Sequence, residues 1–175
     1  MLREKLNLAV RDIPDFPQPG IIFKDITPIL KDPQLCNEII DEFVAQLKGV
    51  EVDVVAGVES RGFLFGLMLA NRLGLPFVPV RKQGKLPYHT ISESYKLEYG
   101  QATIEVHTDA FEAGAKVLIH DDLLATGGTV VATSKLIEKA GAQVAGYSFL
   151  ISLDFLQAKG RLTRFSEKII SLVQY

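Results

Sequence analysis

Between residues 52 and 153 the chain alternates short, uninterrupted apolar runs with longer segments of helical periodicity, and this alternation restricts the possible folds more than any other feature. VDVVAGV (52–58) is an apolar run of strand length, GFLFGLMLANRLG (62–74) reads as an apolar helix closed by Gly74, and PFVPV (76–80) reads as a second strand. Residues 103–106 form a short strand after the Gly100 turn, 116–120 a buried strand, 129–140 a helix ended by Gly141, and 144–153 a further strand. Strands that are apolar on both faces must be covered on both faces. The pattern therefore predicts βαβ units: an α/β fold with a parallel sheet, helices on both faces, and ligands at the carboxyl ends of the strands.

Ahead of this region, residues 2–10 place Leu2, Leu6 and Ala9 on one helical face, and Pro14, Pro17 and Pro19 then break the helix into an irregular segment. Asp32-Pro33 is a helix start, and Leu35, Ile39, Ile40, Phe43, Val44 and Leu47 repeat at helical spacing as far as Lys48-Gly49. The segment 81–99, RKQGKLPYHTISESYKLEY, has no strong period and reads as a mobile excursion. A surface hairpin fits its composition as well, but Arg81, Lys82 and Lys85, three cations within five positions, favour a lid.

A length of 175 residues fits one domain with a sizeable core. A net charge of -2 argues against a broad nucleic-acid surface and leaves room only for a local basic pocket. The single cysteine, Cys36, forms no internal disulfide, and no Cys/His spacing resembles a zinc site, so a reducing cytoplasm is expected. The charged residues of MLREKLNLAVRDIPDFP rule out a signal peptide or spanning helix there, and no membrane partner is expected.

The chemistry concentrates in VLIHDDLLATGGT (117–129), where a buried strand ends in two carboxylates, a short loop follows, and Gly127-Gly128 opens a helix at Thr129. Glycines expose successive N–H groups, Thr126 and Thr129 add hydroxyl donors, and the helix start adds the positive end of its dipole, so Ala125, Thr126, Gly127, Gly128 and Thr129 suit a phosphate. Asp121 and Asp122 repel an anion but can accept hydrogen bonds from vicinal sugar hydroxyls or hold magnesium through water. A lone TGG would suit an ordinary turn equally well, whereas the whole segment favours a phosphorylated sugar. Neither GxxxxGK[ST] nor a GxGxxG after a strand occurs, which disfavours a P-loop ATPase and a dinucleotide-binding dehydrogenase.

DDLLATGGT resembles the phosphoribosyl pyrophosphate loop of type I phosphoribosyltransferases. The ordered set GIIFKDITPIL (20–30), GVESRGFLFG (57–66), VRKQGKLP (80–87), YKLEYG (95–100) and DDLLATGGT resembles the adenine-specific branch of that family over nearly the whole chain. The resemblance implies the type I fold, with a small N-terminal hood over about 1–33 and a flexible catalytic loop over about 81–100. It also implies phosphoribosyl transfer to adenine in purine salvage, with Mg2+, and a homodimer.

By that resemblance Glu59, Ser60 and Arg61 form the pyrophosphate loop, and Arg81, Lys82 and Lys85 supply cations from the lid. The magnesium rides on the pyrophosphate without a direct protein ligand. Glu98 corresponds to the acid or base beside the adenine, and Tyr99 is its loop neighbour. The backbone of Ile22 would pair with the adenine edge while Phe23 stacks, and Lys24 stands where many relatives carry Arg, replacing a planar fork by a point donor. Phe155 replaces the Leu often found against the other face of the base. From the residues alone, Arg61 also fits a helix-start salt bridge, the lysines a solvated face, and Phe23 plain core. His89, His107 and His120 read as structural. Two further readings are a 6-oxopurine transferase, which needs a donor where adenine needs an acceptor, and a non-catalytic sensor of phosphoribosyl pyrophosphate.

Overall fold

A computed structural model describes residues 1–97 and 100–175. Its main sheet has seven strands: β3 (Val54–Val58), β4 (Phe77–Lys82), β5 (Thr90–Lys96), β6 (Gln101–His107), β7 (Lys116–Leu124), β8 (Gln143–Ser152) and β9 (Ile169–Gln174), in the spatial order β5-β6-β4-β3-β7-β8-β9. Neighbours from β4 to β9 run parallel, while β6 is antiparallel to both β4 and β5. The sheet is thus mixed at one edge, where a hairpin joins what the alternation predicts as a parallel sheet.

Side-chain alternation explains how both faces are covered. Val54, Ala56 and Val58 of β3 and Val117 and Ile119 of β7 pack with Val130, Leu136 and Ile137 of α4 (Gly128–Lys139). Val55 and Leu118 point the other way, against Phe43 of α2 (Pro33–Gln46) and Phe65 and Leu69 of α3 (Gly62–Leu73). The helix ends follow their local chemistry. The Asp32 carboxylate accepts from the Leu35 N–H at 3.0 Å with Pro33 in the first turn, and Gly74 closes α3 in the left-handed region at φ 69°.

Three segments differ from their sequence expectations. The expected irregular stretch after α1 (Leu2–Ala9) contains a separate two-stranded sheet, β1 (Arg11–Pro14) with β2 (Ile22–Asp25), in register from Arg11↔Asp25 to Pro14↔Ile22. Pro14 ends its strand, and Pro17 and Pro19 fall in the connection, so no proline interrupts the pairing. Most of the expected excursion is ordered: TISESYK is β5, paired along seven residues of β6, with the Ser94 and Thr103 hydroxyls 2.8 Å apart. Its polar residues suit an edge strand, which is why no buried-strand signal marks it. Finally, β7 continues four residues past His120, so the acidic pair lies inside the strand. A short helix α5 (Lys159–Leu162) and β9 complete the chain where the sequence pattern gave no assignment.

Candidate active site

The carboxyl ends of β3, β4 and β7 meet at one cavity of about 340 Å³, lined by Glu59, Ser60, Arg61, Lys82, Asp121, Asp122 and Leu123. Sheet order makes this unavoidable: β3 is hydrogen-bonded to β4 on one side and β7 on the other, all parallel, so residues following them in the chain direction emerge together. The turn from β3 into α3 is tight. A Cβ on Gly62 would lie 2.9 Å from the His120 carbonyl oxygen and 3.0 Å from Asp121 Oδ1, so only glycine lets the start of α3 approach β7 this closely.

The charges are arranged in two groups. Glu59 accepts hydrogen bonds from the Lys82 N–H at 2.9 Å and from Arg81 Nε at 3.2 Å. Burial alone would raise its carboxyl pKa, but the Lys82 N–H and the Arg81 guanidinium outweigh burial and hold it below the ordinary value. Arg81 also donates from Nη1 to the Lys85 carbonyl at 3.1 Å, so it braces the turn after β4 and does not line the cavity. Lys82 reaches the cavity, whereas Lys85 is exposed and is not brought to it.

In the second group, burial raises the Asp121 pKa well above that of a free carboxyl, and repulsion from Asp122 adds to the shift. Burial also raises that of Asp122, against the opposing pull of Arg61. Arg61 Nε lies 2.7 Å from Asp122 Oδ2, but its N–H is not aimed at that oxygen, which has no hydrogen-bond partner. The contact is one of charge between Arg61 and a buried carboxylate oxygen. The helix-start salt bridge is therefore present, at a residue that also faces the cavity.

Beside the cavity, α4 begins without a side-chain cap. Gly127 takes the cap position at φ 78°, and the N–H groups of the first turn are left for an anion. Thr129 Oγ1 donates to the Tyr95 hydroxyl at 3.0 Å, and the Tyr95 ring lies against Gly128, tying the β5–β6 hairpin to the glycine loop. Arg161 Nη1 donates to the Thr126 carbonyl at 2.8 Å. Arg161 does not stand out in the sequence, and Tyr95, although it opens the YKLEYG motif, carries no assigned role there; only the fold brings the two to 125–129.

The hood approaches through Arg61, whose guanidinium lies 4.9 Å from the Phe23 ring centroid, while Phe16 packs edge-on against Phe23 at 5.2 Å. Phe23 is half-buried, so one part of the ring stays open. Pro14 opposes Ile22 and has no N–H, so the residue opposite does not occupy the Ile22 carbonyl. Lys24 points elsewhere: its Nζ is 2.7 Å from Asp12 Oδ1 and 3.9 Å from the centre of the Tyr175 ring. Phe155 is 71% exposed on a 3-10 turn after β8. Glu98 and Tyr99 lie outside the described residues. His120 is fully buried with Nδ1 2.9 Å from Ser148 Oγ, and burial lowers its pKa to about 3, so it is neutral at physiological pH. His107 Nε2 lies 2.6 Å from the Pro87 carbonyl, a structural contact.

A sheet that collects an acidic pair, a cationic loop and an uncapped glycine-started helix at its carboxyl end is the architecture of a phosphoribosyl-binding protein. The family model described as the phosphoribosyl transferase domain matches residues 25–171. The chain is 55% identical over 175 residues to the adenine phosphoribosyltransferase of Cytophaga hutchinsonii, covering 100% of this chain and 97% of that one. The crystal structure of adenine phosphoribosyltransferase from Thermoanaerobacter pseudethanolicus superimposes with a TM-score of 0.95 at 49% identity, covering 100% of both chains. That of the Saccharomyces cerevisiae enzyme, complexed with an imino-altritol bisphosphate and adenine, gives 0.92 at 40% identity over 98% of each chain. The chain belongs to the adenine phosphoribosyltransferase family of type I phosphoribosyltransferases.

Proposed function

We propose that the chain transfers the 5-phosphoribosyl group of phosphoribosyl pyrophosphate to adenine, releasing pyrophosphate and forming AMP for purine salvage. The bond from the sugar C1 to the diphosphate oxygen breaks, a bond from C1 to an adenine nitrogen forms, and the proton on that nitrogen leaves. One observation carries the reading: Arg61, Lys82 and the Asp121-Asp122 pair share one cavity, and the strand that bears the pair leads into the uncapped start of α4. The glycine loop 125–129 holds the 5'-phosphate and the acidic pair accepts from the ribose hydroxyls. Arg61 and Lys82 stabilise the charge growing on the departing diphosphate. Lys85 and Glu98 act when the 81–100 lid closes, Lys85 on the diphosphate and Glu98 on the base proton, and closure excludes water from a cationic C1.

Phe23 stacks on adenine and the free Ile22 carbonyl accepts from its 6-amino group, a task a 6-oxopurine could not fulfil. The yeast relative's complex with adenine supports that choice of base. Lys24, held by Asp12, orders the hood, and Phe155, exposed as it is, can swing onto the other face of the base.

Magnesium fits the site as a passenger on the substrate. Asp121 and Asp122 bring two carboxylates to the cavity. These two would hold the ion through water. Bound with the diphosphate, it neutralises part of the leaving group's charge.

A homodimer is the expected assembly. Leu64, Leu67 and Met68 form an exposed apolar stripe on the outer face of α3, which a second copy would cover. Residues 1–175 are read as one domain with the hood and lid as its moving parts, in the cytoplasm, where Cys36 remains a buried free thiol. No helix among the described residues is long and apolar enough to cross a membrane.

The test is a competition: protein, phosphoribosyl pyrophosphate, magnesium, and equal adenine, hypoxanthine, guanine and xanthine, with the nucleotides identified. AMP is expected as the main product. Mainly IMP or GMP would overturn the base assignment, and binding of the sugar donor without any nucleotide would overturn the reaction.

A further inference from the structure

Arg161 lies on α5, remote in sequence from every motif of the site, yet its guanidinium reaches the glycine loop. Nη1 donates to the Thr126 carbonyl at 2.8 Å. The Thr126–Gly127 bond is trans, and in a planar trans peptide the carbonyl and the following N–H point in opposite directions. Drawing the Thr126 oxygen to its own side, Arg161 turns the Gly127 N–H to the other. The opposite orientation would present a carbonyl, with its partial negative charge, where the N–H now stands. Gly127 is the residue most able to permit such a flip, because at φ 78° it has no side chain to restrain the plane.

Two further contacts show that the clamp is specific. Ala158 backs the same loop: a Cβ on Gly127 would lie 3.1 Å from the Ala158 Cβ. The neighbouring cation, Lys159, is engaged by Asp154 at 2.9 Å, whereas no carboxylate among the described residues lies within 4.0 Å of Arg161. Its charge is left to act on the loop and on an anion there. Nor does α5 depend on Arg161 to stay in place, because Leu162 is fully buried and anchors the helix in the core.

We infer that Arg161 is a positioning residue for the sugar 5'-phosphate, clamping the Thr126–Gly127 peptide so that the Gly127 N–H faces the anion. The inference rests on the reading of 125–129 as the 5'-phosphate cradle. It separates this phosphate from the diphosphate, which Arg61 and Lys82 serve on the far side of the acidic pair.

The test uses two ligands that divide the substrate. Calorimetric titrations of the full-length protein with ribose 5-phosphate, and separately with magnesium pyrophosphate, are compared for wild type, Arg161→Gln and Arg161→Lys, with thermal midpoints recorded. Arg161→Gln is expected to weaken ribose 5-phosphate roughly tenfold, the effect of one charge-assisted hydrogen bond, and to leave pyrophosphate within about twofold. The midpoint should not move, and Arg161→Lys should recover part of the loss. Unchanged ribose 5-phosphate binding in Arg161→Gln would overturn the inference, as would a parallel loss of both ligands with a lowered midpoint. If wild type itself bound pyrophosphate but no ribose 5-phosphate, the cradle reading would fall and the clamp with it.

Discussion

The two walls of the cleft are held by different kinds of contact. The wall that carries Asp121, Asp122 and the glycine loop grows from β7, which is flanked by β3 and β8 and buried on both faces. Its loop is fixed from several sides: Leu153 N–H to the Leu124 carbonyl at 2.9 Å, Arg161 to Thr126, Ala158 against Gly127, and Gly62 against Asp121. The opposite wall is the end of β4 and the edge hairpin β5–β6, with Lys82, Gln83, Gly84 and Lys85 all exposed. Ile104 and Val106 anchor the hairpin in the core, and its further ties are polar: Glu105 Oε1 accepting from the Gly84 and Leu86 N–H groups, Tyr95 to Thr129, and Lys139 to the Ser92 carbonyl. A donor array is useful only if it is already in place when the anion arrives, whereas a lid must detach at little cost. Under the proposed function the first requirement falls on the glycine loop and the second on the exposed 82–85 turn.

The contrast can be broken most severely on the fixed wall. Gly127→Val forces a branched side chain into the left-handed region, at about 1–2 kcal/mol, and pushes a Cβ against Ala158. Loss of AMP formation by about a hundredfold or more is expected, as for a misplaced oxyanion donor. Initial rates beside a circular dichroism melt check this, and near-normal turnover would show that the loop tolerates movement.

Asp121→Asn should set activity against stability. A carboxyl whose folded pKa is raised binds its proton more readily in the folded state, so its charged form destabilises the fold above that pKa. The penalty disappears as pH falls through the raised value towards the ordinary one, near 3.9. The variant is therefore expected to melt above wild type at pH 8, with the gap closing towards pH 4, while turnover falls about tenfold or more as a charged acceptor is lost. A lower midpoint at pH 8 would mean that the burial is compensated by contacts the variant also breaks.

On the wall formed by β4 and the hairpin the effects should be smaller. Tyr95→Phe removes only the hydroxyl linking the hairpin to Thr129. A change of a few-fold in kcat, with stability within about 1 kcal/mol, is expected. A hundredfold loss would place this hairpin with the fixed wall instead. Lys139→Ala breaks the exposed link to Ser92 and should shift stability by no more than about 0.5 kcal/mol, with kcat within about twofold. Chemical denaturation and initial rates measure both variants.

The same division governed what could be read from the residues. β3 and the start of β7 announce themselves because strands buried on both faces are apolar without interruption, and α3 because Gly74 ends it in a left-handed turn. The strand, glycines and helix start of 117–129 were legible because they are contiguous in sequence. β5 was not, because an edge strand such as TISESYK needs no continuous apolar run. The hairpin β1–β2 was hidden by its prolines, of which Pro14 is the last paired residue of β1 and Pro17 and Pro19 fall in the connection. The contacts of Arg161 with Thr126 and of Tyr95 with Thr129 were invisible because each is long-range, and such contacts leave no local period. The engagement of Lys24 with Asp12 and Tyr175 likewise depends on strand pairing and on the end of β9.

Tyr175 joins parts of the molecule far apart along the chain. Its hydroxyl donates to Asn7 of α1 across 168 residues, its ring lies beneath Lys24 of β2, and its carbonyl accepts from the Asp154 N–H next to Phe155. In kinetic terms the hood near the N-terminus is then a late product of folding, since closing so long a loop carries an entropic cost that the sheet must first offset. Pulse-labelling hydrogen exchange should find amides of β1 and β2 protected after those of β3 and β7, and protection in the reverse order would contradict this. The hairpin β1–β2 would be assembled only once the sheet that carries Asp121 and Asp122 already exists.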